Sequence, residues 1–467
     1  MPNSSLLDSI QHVVVLMLEN RSFDHMLGFL YTDQGNVSPS GAAFDGLSGH
    51  EFNLDASGAQ APVYRITPTS PHPYFMPGAD PGEGYANTNS QLFDAPQAPT
   101  PPVAQNSGFV KNFGATLTLD RQRGRPIVAG TQAKDIMGMY TPAALPVLSG
   151  LASGFAVCDR WFASAPTETL PNRAFAAAAT SQGHMDDATH SFTAPTIFGA
   201  LTRKGVNWAI YGYNADPLTR MTFSDTASAP SSHFGRFTDF TTAVGNGTLA
   251  AYTFLEPSWG PTGNSQHPNY NVALGEQLIH DVYSALRGSN IWNQTLLVVT
   301  YDEHGGCYDH VSPPTDAVPP DSSVGEFGFD FKRFGVRVPT VLVSPLIAAG
   351  TVFRAGGATP LDHTSVLKTV ELRWGLSALT ARDAAAPDIG GVLTLSSPRT
   401  DDPLAGVTVP KATGVNPAEY APSHLQEVYA QLLAQRLQEP LPATLRTPQD
   451  YDAYIESRTQ QWRAVHP

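Results

Sequence analysis

The 467-residue sequence predicts an α/β fold, with a mostly parallel central sheet flanked by helices. Two observations predict it. Short, unbroken apolar runs rich in Val, Leu and Ile recur along the chain, and the intervals between them are long enough to hold helices. Strands of this unbroken kind are typical of a sheet that is covered on both faces. The runs that we assign to strands span residues 12–18, 206–211, 252–255, 295–301 and 340–343.

Helices fit the intervals between these runs. Residues 275–287 carry apolar side chains at three- and four-residue spacing, which gives a helix with one apolar face. A later helix is expected to begin at a cap formed by Asp362 or Thr364 and to end at Gly375. The proline-rich stretch 60–102 is expected to form loops that lie over the sheet.

The C-terminal part of the chain differs from the rest. We divide the chain into an α/β domain at 1–405 and a helical appendage at 406–467 that packs on it. Ser423 and Gln426 form a capping box for one amphipathic helix, and Pro448 opens a second. Dimerisation through these two helices is the alternative.

Composition excludes several classes of function. The 27 Lys and Arg residues against 41 Asp and Glu give a formal net charge of −14, which argues against binding to nucleic acid. Cys158 and Cys307 are the only cysteines, so there is no disulfide framework or cysteine-rich zinc site. No apolar run approaches the roughly 20 residues of a membrane span. We expect a soluble, cytoplasmic protein as the sequence stands, or a secreted or periplasmic one if an export signal has been removed.

Two of the strands end in acidic residues. Glu19-Asn20 follows the first apolar run and Asp302-Glu303 follows the run at 295–301. If these strands are neighbours, three carboxylates and an amide converge at one edge of the sheet and repel one another unless a cation lies between them. Oxygen ligands suit Mg²⁺, Ca²⁺ or Mn²⁺, and nearby histidines keep Zn²⁺ open. Ordinary solvated strand ends are the alternative.

A second candidate site lies at the start of a helix. Thr169 to Arg173 reads Thr-Leu-Pro-Asn-Arg and precedes an alanine-rich helical run, so its free N–H groups would attract an anion. The Thr169 hydroxyl could act as a nucleophile if a metal or base lowered its pKa. Asn172 could donate to a phosphoryl oxygen, and Arg173 could do so or pair with a structural carboxylate. Plain helix capping is the alternative.

Three histidines have polar neighbours that could orient their rings. They are His267, His310 and His363. Together they could bind phosphate or donate a proton to a leaving group. A structural role for each one is the alternative.

Three long motifs resemble one known family. They are residues 19–28 (ENRSFDHMLG), 169–173 (TLPNR) and 302–311 (DEHGGCYDHV). In order and spacing they resemble the bacterial phospholipase C and acid phosphatase family of phosphoesterases, over most of residues 10–390. The resemblance implies an alkaline-phosphatase-like α/β fold and hydrolysis of phosphate esters through a phospho-enzyme on Ser or Thr.

The resemblance also implies roles for individual residues. Thr169 falls on the nucleophile, and Asn20 would also touch the phosphate. One divalent ion, Ca²⁺, Mg²⁺, Mn²⁺ or Zn²⁺, is implied. Its ligands would be Glu19, Asn20, Asp302 and Glu303, and the family's histidine positions fall on His267, His310 and His363.

The sequence departs from the family at two places. Glu83, in the segment Asp80 to Tyr85, stands where similar members carry His, so a donor to phosphate becomes an acceptor. This change would weaken anion binding, make Glu83 a further metal ligand, or shift the preferred substrate, and His72 is a candidate substitute. Thr167-Glu168 stands where relatives show Gly-Pro, so the loop that enters Thr169 is expected to differ in shape.

The sequence therefore predicts a metal-dependent phosphoesterase of the phospholipase C type that acts on phosphodiesters such as glycerophospholipids. An acid phosphatase acting on phosphomonoesters is the second interpretation. A catalytically inactive phosphate-ligand-binding protein on the same fold is the third. The expected partner is a phospholipid or small phosphate ester, with no nucleic acid and no transmembrane segment, and a homo-oligomer stays open.

Overall fold

The computed structural model describes residues 4–190, 192–412 and 421–465. The strands are β1 (His12–Leu18), β2 (Phe52–Leu54), β3 (Gln60–Pro62), β4 (Tyr64–Ile66), β5 (Gly138–Tyr140), β6 (Ala156–Val157), β7 (Trp161–Phe162), β8 (Trp208–Gly212), β9 (Phe234–Arg236), β10 (Tyr252–Glu256), β11 (Thr295–Tyr301), β12 (Thr340–Val343), β13 (Thr351–Val352) and β14 (Leu361–Asp362).

The α-helices of the described residues are α1 (Ser4–Leu7), α2 (Phe23–Leu27), α3 (Tyr85–Phe93), α4 (Phe109–Arg123), α5 (Pro146–Gly154), α6 (Thr169–Ala178), α7 (Ile197–Lys204), α8 (Leu218–Thr222), α9 (Ser224–Ala227), α10 (Phe237–Asn246), α11 (Val272–Arg287), α12 (Thr364–Trp374), α13 (Ala381–Ala385), α14 (His424–Leu437) and α15 (Pro448–Val465). None of these helices is long and apolar enough to cross a lipid bilayer.

Eight strands form the central sheet, in the order β13-β6-β12-β11-β1-β10-β8-β9. Neighbouring strands are parallel, except that β12 runs antiparallel to both β11 and β6. Every residue of β11 and β12 is buried, as unbroken apolar strands require when both faces of the sheet are covered. The predicted mostly parallel α/β fold is confirmed.

The register of β1 and β11 positions the site. The two strands are parallel and adjacent, and Leu18 pairs with Tyr301 at their last residues. The residues that follow, Glu19 and Asp302, therefore leave the sheet side by side. This placement follows from the pairing of the strands and not from any local preference of the acids themselves.

The two C-terminal helices pack against each other, and α14 also packs against α8. Leu425, Leu433 and Trp462 share one apolar cluster with Leu170 and Trp259 from the earlier part of the chain. Burying such side chains contributes about 1.5 to 3 kcal/mol each, so these contacts hold the tail against the rest of the protein. The division at residues 405 and 406 stays a prediction, and part of the predicted appendage, 413–420, lies outside the described residues.

The proline-rich stretch 60–102 is not all loop, and that expectation is wrong. It contains β3, β4 and the nine-residue helix α3. Residues 85–93 contain no proline, and Gly84 precedes the helix, so the flanking prolines do not interrupt it. The helix carries Gln91, whose side chain reaches His304 at 2.7 Å.

Candidate active site

Asn20 lies at the centre of the site and joins three segments of the chain. Its Oδ1 accepts a hydrogen bond from the Thr169 hydroxyl at 3.2 Å, and its Nδ2 donates to Glu83 Oε2 at 2.7 Å. Its backbone N–H donates to Asp302 Oδ1 at 3.0 Å. The residue adopts φ +54°, a left-handed conformation that Asn tolerates better than most residues. In this conformation the side-chain amide reaches Thr169.

Thr169 begins α6 and is buried. The next backbone N–H, that of Leu170, donates to Asp187 Oδ1 at 2.6 Å. Because the first N–H groups of a helix have no partner within it, Asp187 satisfies one of them and fixes the position of the helix start. The hydroxyl of Thr169 therefore meets Asn20 from a fixed backbone.

Asn172 shapes the loop that leads into α6. Its Nδ2 lies 3.0 to 3.1 Å from the carbonyl oxygens of Ala165, Thr167 and Glu168, and its Oδ1 accepts from the Ala165 N–H. These hydrogen bonds occupy both hydrogens of the amide, so Asn172 holds the loop before Thr169 in position. The expected donation to a phosphoryl oxygen stays a prediction.

Arg173 pairs with a carboxylate, which is one of the two alternatives that its sequence position allows. Its Nε donates to Asp302 Oδ2 at 2.8 Å, and a terminal nitrogen donates to the Leu18 carbonyl at 3.0 Å. The guanidinium also lies 4.6 Å from the ring of Trp259. Asp302 therefore has donors on both of its carboxylate oxygens, one of them cationic.

The acids at the strand ends are short of compensating positive charge. Burial, and next the charge of Asp302, raises the pKa of Glu19 to about 8. Burial and Asp302 also raise the pKa of Glu303 well above its ordinary value. Two of their buried oxygens, Glu19 Oε2 and Glu303 Oε1, accept no hydrogen bond. This donor set fits a divalent cation, because carboxylate oxygens without partners are the ligands that such ions prefer.

Glu83 reaches the site, although the family pattern expects a histidine there. It accepts a hydrogen bond from Asn20. Burial, and next the nearby charges of Glu303 and Asp80, raises the pKa of Glu83 well above its ordinary value. His72 is exposed, and no described hydrogen bond or ion pair of its side chain reaches these residues.

Two of the predicted histidines lie at the site. His363 lies just before α12, donates from Nε2 to the backbone carbonyl of Asp302 at 2.6 Å, and accepts from Trp161 at Nδ1. His267 donates from Nδ1 to the Pro268 carbonyl at 3.1 Å. Burial lowers the pKa of His267 to about 4, so the ring is neutral at pH 7. Its predicted role as a proton donor would require that pKa to change when substrate binds.

His310 belongs to a different cluster. Its Nδ1 lies 2.6 Å from Asp24 Oδ2, and its Nε2 lies 3.5 Å from Asp45. Burial alone would lower its pKa, but the carboxylates of Asp24 and Asp45 raise it to about 10. Arg337 binds Asp24 in the same cluster. No described hydrogen bond or ion pair joins His310 to Thr169, so its expected catalytic role finds no support in these contacts.

Sequence reasoning missed three residues of the site. Asp187 caps α6, and its backbone N–H donates to Glu168 Oε2 at 2.6 Å. Burial raises the pKa of each of these carboxyls to about 7. The Nε2 of His424, the first residue of α14, lies 3.7 Å from Asp187 Oδ2. The C-terminal helix α14 therefore begins beside the site. These contacts join distant segments, and no local pattern identifies them.

Comparison with known proteins identifies relatives of most of the chain. Residues 10–377 match the Phosphoesterase family. Non-specific phospholipase C3 of Arabidopsis thaliana is 35% identical over 438 residues, which cover 87% of this chain and 78% of that protein. Phospholipase C A of Mycobacterium tuberculosis is 27% identical over 84% of this chain and 78% of its own length.

Solved structures give a weaker likeness. The phosphonate monoester hydrolase of Agrobacterium radiobacter is 14% identical, with a TM-score of 0.34, over 53% of this chain and 72% of its own.

Proposed function

This chain belongs to the phosphoesterase family, as a hydrolase of phosphoric ester bonds, and we propose that it cleaves phosphodiesters such as glycerophospholipids through a phospho-enzyme on Thr169. The observation that carries the proposal is the contact between Thr169 Oγ1 and Asn20 Oδ1 at the acidic strand ends. A hydroxyl at a helix start, beside a carboxylate cluster suited to a cation, is placed for attack on phosphorus.

One divalent ion would be held by the oxygens of Glu19, Asn20, Asp302 and Glu303. Bound there, it would lower the pKa of the Thr169 hydroxyl and stabilise negative charge on the phosphoryl group. Arg173 holds Asp302 through one carboxylate oxygen, and His363 holds the same residue through its backbone carbonyl. Both are positioning residues, because each acts through Asp302.

The reaction then proceeds in two displacements. Thr169 Oγ gives up its proton and bonds to phosphorus, the bond from phosphorus to the glycerol oxygen breaks, and the glycerol oxygen takes up a proton and leaves as an alcohol. The intermediate is a phosphodiester between Thr169 and the head group. Water next gives up a proton and attacks its phosphorus, the bond from phosphorus to Oγ breaks, and Oγ takes up a proton, which restores the hydroxyl and releases the phosphorylated head group. Asn20 orients the hydroxyl before attack, and the helix start fixed by Asp187 holds it in place.

Charge at the site supports a diester over a monoester. Acidic side chains near Asn20 outnumber the basic ones, and the carboxyl group of Glu83 accepts a hydrogen bond from the Asn20 amide. A doubly charged monoester would experience this field more strongly than a singly charged diester. The relatives named phospholipase C point the same way.

Rates on three substrates test this proposal. Wild-type protein should hydrolyse phosphatidylcholine vesicles and bis(p-nitrophenyl) phosphate more efficiently than p-nitrophenyl phosphate, and a chelator should abolish all three activities. A preference for the monoester would establish the acid phosphatase instead. Absence of turnover on every substrate, with metal bound, would establish the inactive binding protein.

A further inference from the structure

Asp80, Glu83 and His267 form a group beside the predicted metal ligands. Among the described residues, three groups of acids and histidines bring their potential ligand atoms within 4.8 Å of one another, and this is one of them. It adjoins the site directly, because Glu83 accepts a hydrogen bond from Asn20.

The imidazole of His267 presents an acceptor to this group. Its Nδ1 donates its hydrogen to the Pro268 carbonyl, which leaves the lone pair on Nε2. That Nε2 faces Asp80 Oδ1 at 3.9 Å, which is beyond hydrogen-bond distance. Asp80 Oδ1 is itself buried and has no donor. Two atoms that can each accept a hydrogen bond therefore face each other beyond hydrogen-bond distance.

The separation of these two atoms is close to that of two ligands of one cation. A tetrahedral zinc ion lies about 2.0 to 2.2 Å from nitrogen and oxygen ligands, so two of its ligands lie about 3.3 to 3.5 Å apart. The 3.9 Å between Nε2 and Oδ1 exceeds this by about 0.4 Å, a distance that the Asp80 side chain, which is 41% exposed, has to move when the ion binds.

Arg21 holds the chain segments that carry these ligands. Its Nε and one terminal nitrogen donate to the carbonyls of Gln266 and His267, and the other terminal nitrogen donates to the carbonyl of Met76. Because all three nitrogens are engaged with backbone oxygens, Arg21 fixes the loop of His267 beside the segment that leads to Asp80.

The second group, Asp24, Asp309 and His310, differs because its carboxylates are already paired with a cation. The guanidinium of Arg337 already binds both Asp24 and Asp309, so positive charge is present.

The group of His184, His190 and Glu326 is also satisfied. His184 Nδ1 pairs with Glu326 at 3.1 Å, and His190 Nε2 pairs with Asp186 at 2.9 Å. The two rings stack almost parallel at 3.6 Å, so their in-plane lone pairs do not converge on one point.

We propose that Asp80, Glu83 and His267 bind a second divalent cation, next to the one assigned to Glu19, Asn20, Asp302 and Glu303. One imidazole and two carboxylates suit Zn²⁺ or Mn²⁺ better than Ca²⁺ or Mg²⁺, which prefer oxygen alone. The site accounts for a glutamate at position 83, because its carboxylate serves as a metal ligand. The proposal rests on the geometry of these residues and adds to the proposed function.

Metal content tests the proposal without reference to activity. Protein stripped with a chelator is equilibrated with excess Zn²⁺, desalted and subjected to elemental analysis. Wild-type protein should retain one more Zn²⁺ per chain than His267→Gln or Asp80→Asn. With Co²⁺ in place of Zn²⁺, the visible absorption of the imidazole-bound ion should be lost in His267→Gln. Asp80 is partly exposed, so its variant should fold even if the His267 variant does not.

Two control variants make the outcomes distinct. His190→Gln removes an imidazole from the satisfied group and should retain wild-type metal content. Glu19→Gln should lose the ion of the proposed function and keep the second. Equal metal content in wild type, His267→Gln and Asp80→Asn would overturn this inference and leave the proposed function standing. Retention of every ion in Glu19→Gln would instead remove the metal site of the proposed function.

Discussion

The hydroxyl of Thr169 donates to the side-chain oxygen of Asn20 at 3.2 Å, across 149 positions of the sequence. The contact joins the start of a helix to the end of the strand β1, and it is the point at which the nucleophile and the acidic cluster meet.

Thr169→Ala should abolish phosphodiesterase activity and change stability by about 1 kcal/mol, because one neutral hydrogen bond is lost from a buried site. The measurement is kcat on bis(p-nitrophenyl) phosphate together with Tm. Thr222→Ala is a matched control, because Thr222 is a buried helical threonine whose hydroxyl bonds within its own helix. The control should keep wild-type kcat.

Glu19→Gln should stabilise the metal-free protein by a few kcal/mol at most at pH 7. Burial raises the pKa of Glu19 to about 8, so the carboxylate must take up a proton when the chain folds at pH 7, and its Oε2 has no hydrogen-bond partner. Thermal melts in chelator check this. An unchanged or lower Tm would show that the Glu19 charge is compensated within the chain.

Asp302→Asn should act in the opposite direction and destabilise the protein by about 3 to 5 kcal/mol. The change removes the anionic partner of the buried Arg173 guanidinium, whose charge is then uncompensated. Denaturant unfolding of the metal-free variant measures the effect. Arg458→Gln, which removes a partly exposed pair with Glu439, should cost less than about 1 kcal/mol. Equal costs for the two variants would contradict the assignment of Arg173 as a structural partner of Asp302.

Stability of the metal-free protein should fall as pH rises from about 4 to about 8. The pKa values of Glu19, Glu168 and Asp187 are raised in the folded state, to about 8, 7 and 7. The unfolded chain therefore loses these protons first, and folding becomes less favourable as pH rises through this interval. Saturating divalent cation should weaken or reverse the slope, since it binds the ionised form. A Tm that rises with pH in chelator would contradict this account.

His310→Ala should lower stability by about 1 to 3 kcal/mol and leave kcat nearly unchanged. Its pKa is raised to about 10, so the stabilising charge is fully present below pH 6.5 and is lost as pH rises through about 10. Unfolding and steady-state kinetics at pH 7 separate the two effects. A large fall in kcat with an unchanged Tm would restore His310 as a catalytic residue.

The fold was accessible from the sequence because its strands are unbroken apolar runs. The predicted limits 12–18, 295–301 and 340–343 coincide with β1, β11 and β12. Helix α3 was hidden by its proline-rich flanks, whose residues bias the local pattern toward loop. The local sequence pattern thus predicts the limits of strands that are apolar throughout. It does not predict a short polar helix such as α3, which depends on tertiary contacts.

The candidate site was accessible only in part. Glu19 and Asp302 could be placed together because parallel neighbours end at the same edge of the sheet. The pairing of Asp302 with Arg173 was one of two alternatives, since the sequence does not say which acceptor the guanidinium reaches. Asp187 could not be found, because it meets Leu170 only through the folded loop between them.

The most direct test of the central claim is the site of covalent modification during turnover. Wild-type protein, mixed with bis(p-nitrophenyl) phosphate and quenched in acid within the first turnovers, is digested and its peptides are sequenced by mass spectrometry. The account predicts a p-nitrophenyl phosphoryl group on Thr169, absent from Thr169→Ala, which should not turn over. A phosphoryl group on another residue, or wild-type kcat in Thr169→Ala, would contradict it.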